Sequence, residues 1–123
     1  MRKYDLEDRL IAFANQCIDV GEALPKTFAG KHIAEQLIRS CTSPALHYGE
    51  AQAAESPPDF IHKMKICLKE LKETFVCLKL IRKRNWQSDD ILNSVCKENN
   101  ELIAIFHASI STAIRNKLSQ SRT

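Results

Sequence analysis

Residues that interrupt regular structure are scarce in this sequence: three of its 123 residues are glycine and four are proline. That scarcity excludes a turn-rich or low-complexity chain, because such residues dominate the composition of those classes. What is present is 44% hydrophobic and 27% charged residues, the balance of a folded, helix-rich protein. A chain of this length buries a core without disulfide or metal cross-links, so we expect a single domain over residues 1–123.

A long hydrophobic run is also missing. The longest stretch without a charged residue is Leu102–Ile114, and its thirteen residues fall short of the roughly 18 that a membrane-spanning helix needs. At the N-terminus, acidic residues follow the first basic ones directly, so we expect no signal-peptide core. The protein is therefore expected to be soluble, with no membrane partner.

Cysteines at metal-binding or redox spacing are absent. The sequence has five cysteines but no Cys-x-x-Cys pair, which excludes a zinc knuckle and a thioredoxin-like motif. We interpret the five as reduced thiols that serve as small apolar side chains. A reducing cytoplasm is the compartment that this interpretation predicts.

Catalytic motifs are missing as well: there is neither a Gly-x-Ser-x-Gly elbow nor a glycine-rich phosphate loop. Histidines leave a carboxylate–histidine metal site as a remote alternative, since His47 with Glu50, and Asp59 with His62, would each share a helix face. The first pair reverses the Glu-x-x-His order of di-iron bundles, and the second lies beside a proline turn. We therefore predict no enzyme activity, no cofactor and no bound metal.

Four segments carry apolar residues at steps of three and four, the spacing of amphipathic helices. Asp5, Thr27 and either Ser88 or Asp89 are the predicted N-caps of the first, second and fourth helices. Short turns between long helices favour antiparallel neighbours, so the predicted fold is all-α, an antiparallel up-down-up-down four-helix bundle. The predicted helices cover about residues 5–24, 28–54, 59–85 and 89–118.

Two of these helices are more apolar than one chain can bury. Residues 102–106 are five consecutive apolar positions, which together cover every direction around a helix axis, and residues 75–78 repeat the pattern. A monomer core covers one stripe of each helix, so the remaining apolar surface predicts a subunit interface. We expect a homo-oligomer.

Positive charge is concentrated in the third helix. Residues 59–86 hold eight lysines and arginines against three carboxylates and end in the stretch "KLIRKRNW". These cations could bind nucleic-acid phosphates while Trp86 stacks on an unpaired base. The alternative is a solvated helix end, because helix C-termini favour cations. The candidate nucleic-acid-binding residues are Lys72, Lys79, Arg82, Lys83, Arg84 and Trp86.

The stretch "CTSPALHYGEAQ" at residues 41–52 contains three residues that are unusual inside a helix packed against its neighbours. Pro44 lacks an amide hydrogen and so deprives the Ser40 carbonyl of its helical partner. Because Gly49 has no side chain, we expect a neighbouring helix to approach closely at this position. Glu50 would then be a carboxylate near a packed seam that needs a cation such as Arg39 or Arg9. We expect Arg39 and Glu50 to form a structural ion pair, either buried or at a subunit interface.

Several of these residues also form a recognisable pattern. In sequence order it comprises Leu24-Pro25, Gln36-Leu37-Ile38-Arg39-Ser40, Ser43-Pro44, Glu50-Ala51, Asp59-Phe60 and the segment "KICLKELKET" at 65–74. It resembles the small four-helix-bundle proteins encoded in intervening sequences within bacterial 23S rRNA genes. His47 stands where that family usually has asparagine.

The resemblance implies a ring-like homopentamer without a defined enzymatic activity. Related bundles that accompany reverse transcriptases bind nucleic acid and the polymerase through a basic surface, so the resemblance also favours RNA or a nucleic-acid complex as the partner. A protein-interaction scaffold that binds no nucleic acid is the alternative, with the oligomer surface as its working part.

Overall fold

The computed structural model describes residues 3–121, and these form four α-helices and no β-strand. The predicted all-α class and four-helix order are confirmed. The helices run over Lys3–Glu22 (α1), Phe28–Gln52 (α2), Pro57–Lys83 (α3) and Asp89–Ser121 (α4). Asp5 lies in the first turn of α1 instead of capping it, where its carboxylate still favours the positive end of the helix dipole.

Side-chain caps fix where three of the helices begin. The Thr27 hydroxyl accepts a hydrogen bond from the Gly30 amide at 3.1 Å, and the Ser88 hydroxyl accepts one from the Ile91 amide at 3.4 Å. Both predicted caps are therefore confirmed. Ser56 caps α3 in the same way, with Pro57 at the first helical position, where its missing amide hydrogen costs nothing.

One core joins the four helices. Apolar residues from every helix are buried in a single cluster that includes Phe13, Leu37, Leu71 and Phe106, each at 0% exposure. α2 lies against α1 and α3, and α4 lies against α3 and, less extensively, against α1. The face of each helix that turns away from this cluster is left for solvent or for partners.

Polar contacts between neighbouring helices accompany the apolar core. Thr74 donates a hydrogen bond to the Ser40 hydroxyl at 2.9 Å between α3 and α2. The side chain of the fully buried Asn99 donates to the Leu71 carbonyl at 3.1 Å between α4 and α3. The Arg9 guanidinium of α1 donates to the Glu98 carboxylate of α4 at 3.0 Å. Such directional contacts fix which residues face one another, which apolar packing alone does less strictly.

The packing predicted for residues 41–52 differs from the structure at Gly49. A Cβ atom built on Gly49 meets nothing within 4 Å, so the predicted close approach at Gly49 is wrong within the chain. A Cβ atom on Gly30 would instead collide with the carbonyl oxygen of Pro25 in the preceding connection. Gly30 therefore permits the tight connection between α1 and α2.

Within residues 3–121, the uncharged apolar stretches of the helices are too short to span a lipid bilayer.

Candidate nucleic-acid interface

One side of α3 presents lysines to solvent over most of its length. Exposed positions recur there at steps of three and four, and no carboxylate is among them. With a rise of 1.5 Å per residue, the row from Lys65 to Lys83 is about 27 Å long. We call this surface the lysine face; its residues are Lys65, Lys69, Lys72, Val76, Lys79, Leu80 and Lys83.

The opposite side of α3 explains why the lysines face outwards. Met64, Cys67, Leu71 and Leu78 lie on that side and are at most 1% exposed in the core. Because a helix has one apolar stripe to bury, its polar residues turn to the other side. The fold thus fixes the direction of the lysine row along a rigid helix.

The ammonium groups of the lysine face are free of carboxylate partners among residues 3–121. Lys79 lies over the ring of Phe75, with 4.8 Å between Nζ and the ring centroid. An open depression of about 480 Å³ lies beside Lys65, Lys69, Lys72 and Val76. This surface is therefore positive and accessible in the single chain.

Two carboxylates of α3 beside this face share one cation of α2. Arg39 donates to Glu70 at 2.9 Å and to Glu73 at 2.6 Å. The hydrogen bond to Glu73 is the largest cause of a raised pKa at Arg39. Glu73 borders the depression next to Lys72, so three lysines line the depression against one carboxylate that is paired with Arg39.

The same contacts correct the expected ion pair between Arg39 and Glu50. Both residues belong to α2, and eleven positions along a helix separate them by about 16 Å. Among residues 3–121, the ion-pair partners of Arg39 are Glu70 and Glu73 of α3, and Glu50 is exposed. Sequence spacing did not reveal this, since the partners come from another helix.

Arg82, one of the predicted binding residues, joins α3 to α4. Its guanidinium donates to the Asp89 carboxylate at 3.2 Å and to the Asn93 side-chain carbonyl at 3.0 Å. These contacts compete with phosphate for the same donors. Arg82 therefore lies at the helix junction, and because two of its five N–H donors are used there, its contact with nucleic acid stays a prediction.

Trp86 closes the C-terminus of α3. Asn85 adopts the left-handed conformation, with φ of 57°, while the Trp86 amide donates to the Ile81 carbonyl at 3.2 Å and the Asn85 amide to the Arg82 carbonyl at 3.0 Å. This is the Schellman pattern, in which an apolar residue after the turn packs back on the helix. The half-buried Trp86 ring packs against the core and lies 5.2 Å from the Arg84 guanidinium carbon.

The predicted binding residues thus separate into those on or next to the lysine face and those that contact other parts of the chain, Arg82 and Trp86. Lys72, Lys79 and Lys83 lie on the lysine face, and the exposed Arg84 extends its charge past the helix end. Lys65 and Lys69 belong to the same face but were not singled out by sequence reasoning. Lys69 and Lys65 lie three and seven residues before Lys72, and this helical spacing could have identified them as members of the same face.

The residues of the alternative metal site do not come together. Within residues 3–121 no three histidine, cysteine or acidic side chains are arranged to hold a metal ion. The ring of His47 makes a local contact instead, with Nδ1 at 2.9 Å from the Ser43 hydroxyl.

The chain is similar to a known protein family and to a solved structure. A family model described as 23S rRNA-intervening sequence protein matches residues 2–108. Among solved structures, a protein of unknown function from the S23 ribosomal protein family of Bacteroides thetaiotaomicron is similar, with 26% identity and a TM-score of 0.82. The match covers 90% of this chain and 99% of the other. No functionally curated protein matches at a significant level.

Proposed function

The chain belongs to the 23S rRNA-intervening sequence protein family, and we propose that it is a non-enzymatic cytoplasmic protein that binds RNA, alone or within a nucleic-acid complex. The lysine face of α3 is the proposed binding surface. The observation that carries the proposal is a row of five exposed lysines without a carboxylate partner in residues 3–121. Such a row attracts a polyanion because each phosphate contact releases condensed counterions.

The proposed role needs no catalytic residue. Two of the buried thiols are unsuited to nucleophilic chemistry, because burial raises the pKa of Cys67 to about 12 and also raises the pKa of Cys77. All five cysteines of the chain are free, as expected for a reducing cytoplasm.

We further propose that the fold is an antiparallel up-down-up-down bundle. Ser40 contacts Thr74 and the Pro44 carbonyl accepts from Cys67, so residue numbers fall along α3 as they rise along α2. Likewise Leu71 contacts Asn99, and Arg82 contacts Asn93 further along α3. These pairs support opposite directions for the neighbouring helices.

The bundle is proposed to assemble into a homo-oligomeric ring, with five subunits as the resemblance implies. Large apolar side chains stay exposed on all four helices: Ile11 of α1 at 54%, Leu46 of α2 at 71%, Val76 of α3 at 51% and Ile91 of α4 at 45%. Exposed apolar surface of this kind is typical of subunit interfaces. Contacts through α1, α2 and α4 would leave the lysine face of α3 open to nucleic acid.

The test is binding of nuclease-treated protein to structured RNA at about 50 mM and about 200 mM salt. We expect the Lys72→Glu/Lys79→Glu variant to bind at least about tenfold more weakly, because two phosphate contacts become repulsive. The matched control is Lys31→Glu/Lys97→Glu, which makes the same change of net charge at two exposed lysines on α2 and α4.

Equal loss in both variants would show that net charge, and not the lysine face, governs binding. Unchanged binding in the lysine-face variant would contradict the proposal.

A protein-interaction scaffold is the second candidate, favoured by one feature of α2. Phe28 is 91% exposed and Leu46 is 71% exposed on the same side of that helix, as their spacing of five turns requires. Stoichiometric recovery of one protein partner, lost in Leu46→Glu and retained in the lysine-face variant, would support this function.

A further inference from the structure

The lysine face differs from the surfaces that bind single strands. Proteins that bind single-stranded nucleic acid place aromatic rings beside a basic groove, and successive bases stack on those rings. On the lysine face, the nearest ring is Phe75, which is half-buried and covered by Lys79. The Trp86 ring packs against the core and lies close to Arg84, so neither ring offers an open stacking surface.

The side chains on this face also lack the planar groups that read base edges in a fixed geometry. Arginine, asparagine and glutamine recognise base edges through rigid pairs of hydrogen bonds, whereas lysine is a flexible point charge that binds phosphate and, among the bases, guanine. Every charged residue of the lysine face is a lysine, and its other members are Val76 and Leu80. Binding there would depend on phosphate positions and not on base sequence.

The spacing of the lysines divides them into two clusters. Lys65, Lys69 and Lys72 extend over about 10 Å, Lys79 and Lys83 over about 6 Å, and a gap of about 10 Å separates the clusters at a rise of 1.5 Å per residue. Val76 lies in the gap and is 51% exposed. Two groups of cations held on a rigid, convex helix match two rows of phosphates, as the strands on either side of a duplex groove provide.

We infer that the ligand of the lysine face is the phosphate backbone of a double-stranded nucleic acid, bound without sequence preference across one groove. Lys65, Lys69 and Lys72 contact one strand, and Lys79 and Lys83 contact the other. This inference rests on the proposed function, which it makes specific by naming the form of the nucleic acid. Duplex RNA and duplex DNA share this phosphate chemistry, so both are tested.

The experiment measures fluorescence anisotropy of the full-length protein with four labelled probes. They are an RNA duplex of about 20 base pairs, a duplex of scrambled sequence, a DNA duplex of the same sequence, and a polyuridine strand of equal length. We expect the two RNA duplexes to bind within about twofold of each other and at least about tenfold more tightly than the single strand. Tighter binding of the RNA duplex than of the DNA duplex would assign the site to RNA geometry, and equal binding would assign it to duplex phosphate in general.

Two variants separate backbone contact from base stacking. In Lys72→Glu/Lys79→Glu, the slope of log affinity against log salt should become shallower by about 1.8 for each subunit in contact, at about 0.9 per phosphate. Phe28→Ala removes the most exposed aromatic ring described, which lies on α2, and should leave all affinities within about twofold.

The outcomes distinguish this inference from the proposed function. Single-strand binding as tight as duplex binding, or a large loss in Phe28→Ala, would overturn the duplex inference alone. An unchanged salt slope in the lysine variant would overturn both, because the lysine face would then make no phosphate contacts. Absence of binding to every probe at about 50 mM salt would overturn both.

Discussion

Buried thiols show how the core changes the chemistry of single residues. Cys67 of α3 is fully buried and donates a hydrogen bond to the Pro44 carbonyl of α2 at 3.5 Å. Burial disfavours the thiolate and raises the pKa of Cys67 from an ordinary value of 9.0 to about 12. Cys67 is therefore a packing residue, as the sequence predicted for all five cysteines.

This shift predicts how stability depends on alkaline pH. The pKa is higher in the folded state than in the unfolded state, so the contribution is complete below pH 9 and is lost as pH rises towards 12. Between about pH 8 and about pH 10, Cys67 alone should lower the free energy of unfolding by about 1.4 kcal/mol. Urea denaturation at the two pH values measures it.

The control for this pH effect is Cys67→Val. This variant lacks an ionisable group at position 67. The decrease in its free energy of unfolding from about pH 8 to about pH 10 should therefore be smaller than that of the wild type by about 1.4 kcal/mol. A decline equal to that of the wild type would show that Cys67 is not its source.

At the scale of helices, two glycines of α2 differ in their effect on stability. Gly30 lies in the first turn, where a side chain would collide with the Pro25 backbone, and Gly49 lies on an open face near Leu46. Glycine inside a helix costs about 1 kcal/mol relative to alanine. At Gly30 that cost is offset by the tight turn, whereas at Gly49 nothing within the chain offsets it.

Alanine substitutions at these glycines should therefore change stability in opposite directions. Gly49→Ala should raise the free energy of unfolding by about 1 kcal/mol. Gly30→Ala should lower it by about 1–3 kcal/mol, because the backbone must shift to relieve overlap. Chemical denaturation measures both variants. Destabilisation by Gly49→Ala that appears only at concentrations where the protein self-associates would instead place Gly49 in a subunit interface.

At the scale of the whole molecule, charge is distributed unevenly. The exposed side of α3 is a row of lysines, while α1 carries Asp5, Glu7, Asp8 and Asp19. α1 and α3 do not pack against each other within the described residues. A polyanion is therefore attracted to one side of the molecule, which orients the encounter before contact.

Assembly is the second property of the whole molecule. The proposed ring of five chains of 14.0 kDa predicts a particle of about 70 kDa by light scattering. Leu46→Glu and Ile91→Glu place charge on exposed apolar positions and should reduce that mass, whereas the lysine-face variant should keep it. A mass of one chain for the wild type would contradict the proposed assembly.

The sequence determined the helices because amphipathic spacing and caps are local. Apolar residues three and four apart define each helix, and Thr27 and Ser88 form caps with amides three residues later. The lysine row of α3 is equally local, since residues on one side of a helix follow from its period. Lys65 and Lys69 could have been found in that way.

The packing of the helices determines which charged side chains have partners within the chain, and this could not be read from the sequence. Arg39 binds Glu70 and Glu73, Arg82 binds across the junction to α4, and Trp86 packs on the core at the end of α3. Each of these contacts joins residues brought together by helix packing, and spacing along one helix carries no information about a neighbouring helix. The lysines without such a neighbour are the ones left for a ligand.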